Sequence, residues 1–293
     1  MALRRSRVMV HKQKWVLKLL LPVVVLLAFS APLLGADAVK IMPVGDSITR
    51  GWYGSSGHWG YRKPLYDSLT NGSYDFNFVG SQTQGSFPDP QHEGHEGWKA
   101  DEILYGRVSE PGAGKLQNWL NIHQPDVVLL HIGTNDITAG DQNVASEVNA
   151  ILDVIDDYED ANDKHVTVIL ALIINRRDHN EATTVFNNDV NNMAQNRIAS
   201  GDDIIVVDME HALTYPDDMY DTWHPNDNGY AKMADVWYNA LAARLMGDIN
   251  GDGFVDWYDL KMMCEDWFSD GKGDINYDGS VDFFDFAELG LAW

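Results

Sequence analysis

Cysteine is almost absent from this chain of 293 residues. Cys264 stands alone, so no intrachain disulfide can form, and the fold must be held by its core or by metal. Positive charge is scarce as well: 21 Lys and Arg face 44 Asp and Glu, a net charge of −23. A surface this acidic repels nucleic acid and anionic membranes and suits cations or a neutral polymer. Long apolar runs are missing apart from Leu17 to Leu34, which Lys18, Pro22 and Pro32 interrupt. Arg4, Arg5, Arg7, Lys12 and Lys14 precede that run and Ala36-Asp37-Ala38 follows it. A basic n-region, an apolar stretch and a small-x-small site predict a secretory signal over residues 1–38, hence a secreted protein that leaves the membrane once cleaved. Uncleaved, the same run is about long enough to be an anchor. Losing these residues removes six basic and one acidic side chain, which moves the net charge to −28.

From Val39 onward, short β-branched runs alternate with helical patterns. The predicted strands are Val39–Val44, Asp75–Val79, Asp126–Ile132, Val166–Ile174 and Ile204–Val207. The predicted helices are Tyr61–Leu69, Gly114–His123, Val144–Tyr158, Ala182–Ala199 and Asn228–Leu245. Val144, Val148, Ile151, Leu152 and Ile155 share one face at helical spacing. Val127-Val128-Leu129-Leu130 is continuously apolar, as a strand covered on both faces should be. Such alternation predicts an α/β fold of three layers around a mostly parallel sheet. His131, inside an apolar run, reads as a core histidine, whereas His123 and His165 read as surface residues.

Ile41–Gly51 reads as a buried strand that breaks at Gly45 and presents Ser47 on the following turn, the rim where open α/β sheets bind ligands. A serine nucleophile needs a base, and the base needs an orienting group. Asp221-Thr222-Trp223-His224 supplies both, because a spacing of three in a turn lets the carboxylate reach one imidazole nitrogen. Gly80 and Asn135, each just past a strand, could join the Ser47 N–H as donors to an oxyanion. Long polar loops, Gly80–Lys99 and Gly133–Asn143, leave the same rim. Flat faces of Trp52, Tyr53, Trp59, Trp98 and Trp223 could cover a sugar ring there, with Arg50, His95 and Asn226 bonding its hydroxyls. His92-Glu93-Gly94-His95 lacks the spacing and helix of a zinc motif.

Gly45-Asp46-Ser47, Gly80, Gly133-Thr134-Asn135-Asp136 and Asp221-x-x-His224 resemble, in order, the four blocks of the SGNH (GDSL-type) hydrolases. Gly60-Tyr61-Arg62, Pro64-Leu65-Tyr66 and His92–Trp98 further resemble the acetylxylan esterases of carbohydrate esterase family three. The resemblance covers residues 39–246 and implies a flavodoxin-like sheet of five parallel strands. It implies Ser47 as nucleophile, His224 as base, Asp221 as its orienter, and Ser47, Gly80 and Asn135 as the oxyanion hole. The expected substrate is an acetylated polysaccharide, xylan foremost. An esterase of the same superfamily acting on pectin, lipid or aryl esters is the alternative, as is a non-catalytic carbohydrate-binding or adhesion protein.

Residues 247–293 carry twelve Asp/Glu against two Lys and repeat internally at an offset of 26. Asp248-Ile249-Asn250-Gly251-Asp252-Gly253 returns as Asp274-Ile275-Asn276-Tyr277-Asp278-Gly279. An EF-hand-type loop draws oxygen ligands from positions 1, 3, 5, 7, 9 and 12. Asp248, Asn250, Asp252, the Phe254 carbonyl, Asp256 and Asp259 meet that pattern, and Asp274, Asn276, Asp278, the Ser280 carbonyl, Asp282 and Asp285 meet it again. Two calcium ions are the expected occupants, in a small all-α module joined through Met246-Gly247. Asp at position 12 resembles a type I dockerin, which implies a cohesin-type scaffold partner. Trp257-Tyr258 and Phe283-Phe284 stand where that family often has Ser/Thr, and they could form an exposed face. Cys264 reads as a small buried hydrophobe.

Overall fold

The computed structural model describes residues 38–247, 249, 255, 257–269, 271–276 and 279–292. The predicted signal up to Asp37 and the loop residues Asp248, Asn250, Asp252, Phe254, Asp256 and Asp278 lie outside the described residues. The described residues form one compact unit. No helix among the described residues is long and apolar enough to cross a membrane.

The sheet is built on β1 (Val39–Gly45) and β5 (Val127–His131). They pair in parallel, from Ile41 opposite Val127 to Gly45 opposite His131. Outward from β5 follow β6 (Thr167–Leu172) and β7 (Ile204–Asp208), both parallel. The other flank of β1 is shared: β2 (Phe76–Phe78) pairs with its start and β4 (Gln91–Gly94) with its end. A two-residue strand, β3 (Gln82–Thr83), lies antiparallel to β4. The sheet therefore has seven strands where the sequence predicts five. The extra pair arises in the loop expected over Gly80–Lys99, whose Gln, His and Glu residues hide a strand from any search for apolar runs.

Strand side chains alternate between two faces, and the sequence uses both. Met42, Val128, Leu130 and Val168 pack on one side with α3 (Ala100–Tyr105), α4 (Leu116–His123), α6 (Val144–Asn162) and α7 (Glu181–Ile198). Ile41, Val127, Leu129 and Ile169 pack on the other with α2 (Arg62–Asn71) and α8 (Asp227–Gly247). Two short helices complete this part of the chain, α1 (Ser47–Arg50) after β1 and α5 (Thr134–Ala139) after β5. Apolar burial is worth about 25 cal/mol per Å², and both faces of the sheet are lined with fully buried side chains.

Gly247, expected as linker, closes α8 instead. Beyond it, α9 (Trp257–Glu265) and α10 (Phe283–Ala292) each follow one acidic loop, and α10 packs against α8. Ile249, Met263, Ile275, Val281 and Leu289 form a separate small core. Trp257, Tyr258, Phe283 and Phe284 are all exposed. Cys264 is exposed rather than buried, because Met263 takes the inward position beside it. His123 and His165 are likewise not plain surface residues. His123 is half-buried 3.4 Å from Glu93, and His165 sits between Asp203 and Glu159. Burial disfavours the charged ring of His165, but those carboxylates override it and push the group up to about 9. His131 is fully buried, and burial pushes it down to about 4.

Candidate active site

Gly45 ends β1 so close to β5 that a Cβ there would stand 2.2 Å from the His131 carbonyl oxygen. Glycine is therefore required where the chain leaves the sheet. Asp46 then caps α1, its Oδ1 accepting the Ile48 N–H at 2.9 Å. The cap delivers Ser47 to the first turn of that helix, almost buried. Burial pushes Asp46 up to about 7, and the nearby charge of Asp136 adds to the shift.

His224, the expected base, arrives from a tight turn ahead of α8. Met219 and Pro225 bridge in antiparallel fashion, and the Tyr220 N–H donates to the His224 carbonyl at 2.8 Å. Inside the turn, Asp221 Oδ1 accepts the N–H groups of Trp223 and His224, each at 2.8 Å. Its Oδ2 lies 2.8 Å from His224 Nδ1. The opposite ring nitrogen, Nε2, lies 2.9 Å from Ser47 Oγ. Burial alone would raise the Asp221 carboxyl, but the His224 N–H and ring and the Trp223 N–H hold it below the usual carboxylate range. Serine, imidazole and carboxylate thus form one hydrogen-bonded line across 177 residues of sequence. Tyr53 packs its ring against His224, with centroids 4.7 Å apart, and donates its hydroxyl to Glu96 at 2.6 Å. Glu96 also pairs with Arg50 at 2.8 Å.

The three residues expected as oxyanion donors follow strand ends of one sheet: Ser47 after β1, Gly80 after β2 and Asn135 after β5. Gly80 has φ +155, and a Cβ there would stand 2.3 Å from the His92 carbonyl carbon, so no other residue fits. Asn135 Nδ2 donates to the Trp98 carbonyl at 2.8 Å, which orients the amide, and lies 3.4 Å from Asp46 Oδ2.

The six side chains expected to hold substrate divide. Arg50, Trp52, Trp59 and Trp223 reach the surface. Trp52 stacks on His58 at 4.2 Å, with the Arg50 guanidinium 5.6 Å from the indole. Trp98 and His95 do not reach it. Trp98 is fully buried, and His95 stacks on both Trp98 and Trp119 with centroid separations of 4.2 and 4.8 Å. Neither can present a face or a nitrogen to a sugar. Asn226 is held in the turn, its oxygen accepting the Asn228 and Gly229 N–H groups and one hydrogen of its amide donated to the Asp217 carbonyl. The sequence assigns no role to Glu93 or Glu96, although both lie in the His92–Trp98 stretch of the family resemblance. Among the described residues, Asp101, Asp136 and Glu147 are the one carboxylate group with ligand atoms all within 4.8 Å.

The GDSL-like Lipase/Acylhydrolase family matches residues 41–237, and the chain belongs to it. A multidomain esterase of Ruminococcus flavefaciens is 28% identical over 238 residues, 74% of this chain but 30% of that protein. This chain therefore spans under a third of that relative's length. A Clostridium thermocellum family 3 carbohydrate esterase structure is 33% identical with a TM-score of 0.59, covering 69% of this chain and 94% of that one. A carbohydrate esterase family 3 structure from Talaromyces cellulolyticus is 26% identical with a TM-score of 0.57, covering 69% and 96%.

Proposed function

We propose that this chain is an exported serine esterase that removes O-acetyl groups from plant polysaccharide, xylan foremost. The observation that carries the reading is the unbroken line from Asp221 through His224 to Ser47. Ser47 Oγ attacks the acetyl carbonyl while His224 Nε2 takes its proton. Negative charge developing on the carbonyl oxygen is met by the N–H groups of Ser47 and Gly80 and the amide of Asn135, each donor worth on the order of 3 kcal/mol in the transition state. His224 returns the proton to the departing sugar hydroxyl, leaving acetyl on Ser47. The same imidazole then activates water, and acetate leaves. A sugar ester is supported by the exposed Trp52–His58 stack beside Arg50 and by the likeness to family 3 carbohydrate esterases.

The test is acetate release from acetylated xylan, beside hydrolysis of a small aryl acetate. Release from xylan is the expected result. Cleavage of the aryl ester alone would leave the esterase and remove xylan, and cleavage of neither would favour the binding-protein alternative.

The acidic repeat is proposed to hold two calcium ions and to tether the enzyme to a cohesin-type scaffold. The residues present fit a cation. Asp285 is fully buried at the start of α10, its oxygens turned onto the Ile275, Asn276 and Asp282 N–H groups, and among the described residues no lysine or arginine pairs with it. Asp259 occupies the equivalent buried place on α9. A carboxylate so placed is costly without a counter-charge. Calorimetric titration of the full chain with calcium should show two sites, and no uptake would remove calcium from the account.

A further inference from the structure

Segment 92–98, which leaves the sheet beside the nucleophile, holds a buried acid that the hydrolytic steps do not use. Glu93 is fully buried, and among the described residues no lysine or arginine pairs with it. Its oxygens accept the Ser81 N–H at 2.5 Å and the Ser81 hydroxyl at 2.9 Å, and His95 Nε2 lies 3.0 Å away. Ser81 directly follows Gly80. On the other side of that glycine, the Val79 N–H is held by the Ile41 carbonyl at 2.9 Å. Gly80 is thus suspended between two anchors, one in the sheet and one on Glu93.

The same buried unit reaches the other two donors. The His95 N–H donates to the Gly45 carbonyl at 2.9 Å, two residues ahead of Ser47. The His95 ring stacks on Trp98, whose carbonyl holds the Asn135 amide. Strand ends β1, β2 and β5 therefore meet on one short stretch of chain.

Resting on the esterase reading above, we propose that Glu93 is a positioning residue of the oxyanion hole: through Ser81 on one side and the His95–Trp98 stack on the other, it fixes where Gly80 and Asn135 aim their N–H groups. It touches no substrate. Displacement of a donor by about 1 Å can cost on the order of 100-fold in rate, so a loosened hole should show chiefly in kcat. Glu93→Ala removes the acceptor for Ser81 and the partner of His95. Glu93→Gln keeps an oxygen for the Ser81 N–H and should recover part of the loss.

The experiment measures kcat and KM on a small aryl acetate, normalised to active sites titrated with a fluorophosphonate, for wild type, Glu93→Gln, Glu93→Ala and Asn135→Ala. Affinity for an aryl boronate, which places an anionic oxygen in the hole, is measured alongside. We expect kcat per site to fall roughly 100-fold in Glu93→Ala and about 10-fold in Glu93→Gln. KM should change little, and boronate affinity should fall in step with kcat. Should Glu93→Ala fail to fold, Glu93→Gln carries the same two readouts. Unchanged kcat per site in a Glu93 variant, beside a large loss in Asn135→Ala, would overturn this role and leave the esterase intact. No loss in Asn135→Ala would instead remove the oxyanion hole itself, and this proposal with it.

Discussion

Ser47→Ala is expected to lower kcat for ester hydrolysis by about five to six orders of magnitude, leaving only what binding and the oxyanion donors supply. The change deletes one oxygen. Ser47 is 8% exposed, and its hydroxyl has His224 Nε2 as its hydrogen-bond partner at 2.9 Å. The turn that presents it is set by Gly45 and by the Asp46 cap, neither of which the substitution touches. The variant should therefore unfold at the wild-type temperature and still bind substrate. Rate constants beside a thermal melt check both halves. A variant that keeps more than about a hundredth of the wild-type kcat would mean that water, or another group, attacks directly.

Asp221→Asn is expected to cost roughly 10⁴-fold in kcat with little effect on folding. This carboxylate has two roles, which overlap at Oδ1, itself 3.0 Å from His224 Nδ1. Oδ1 accepts the Trp223 and His224 N–H groups that shape the turn, and an asparagine oxygen can do the same. Oδ2 faces His224 Nδ1, and there an amide would donate instead of accept. Donation to Nδ1 leaves the ring proton on Nε2, pointed at Ser47, so the base arrives already protonated. Substitution by alanine should cost stability as well, because the turn loses its two internal acceptor bonds, each worth about 1 kcal/mol. Steady-state kinetics on both variants, with melts, separate chemistry from scaffold. Equal activity of Asp221→Asn and wild type would show that His224 takes its orientation from the turn alone.

Much of this was legible because the sheet announces itself. Val127–Leu130 is apolar throughout and β1 nearly so, and both run beneath helices on two sides. Motif positions were legible for a similar reason. Gly45, Asp46 and Gly80 each answer a local backbone demand that few other residues meet. Side-chain direction in the long loop was not. Trp98 and His95 lie in a polar stretch that rims the site, yet they turn inward and stack under it. Nothing in the spacing of His92–Trp98 separates a residue aimed at substrate from one that backs the donors. Asn226 shows the same limit, since a helix-capping amide and a sugar-binding amide are one residue type. The strands β3 and β4 escaped notice because sheet pairing there depends on backbone groups and not on apolar side chains.

The account rests on a covalent step at one oxygen, and the most direct test is to catch it. The full chain is mixed with an excess of aryl acetate, quenched in acid within the first turnovers, digested and weighed by mass spectrometry. The mass of one acetyl group on the peptide that contains Ser47, absent from Ser47→Ala, is the predicted result. Acetate released at full rate with that peptide never acetylated would contradict the acyl-enzyme, and with it the role assigned to Ser47.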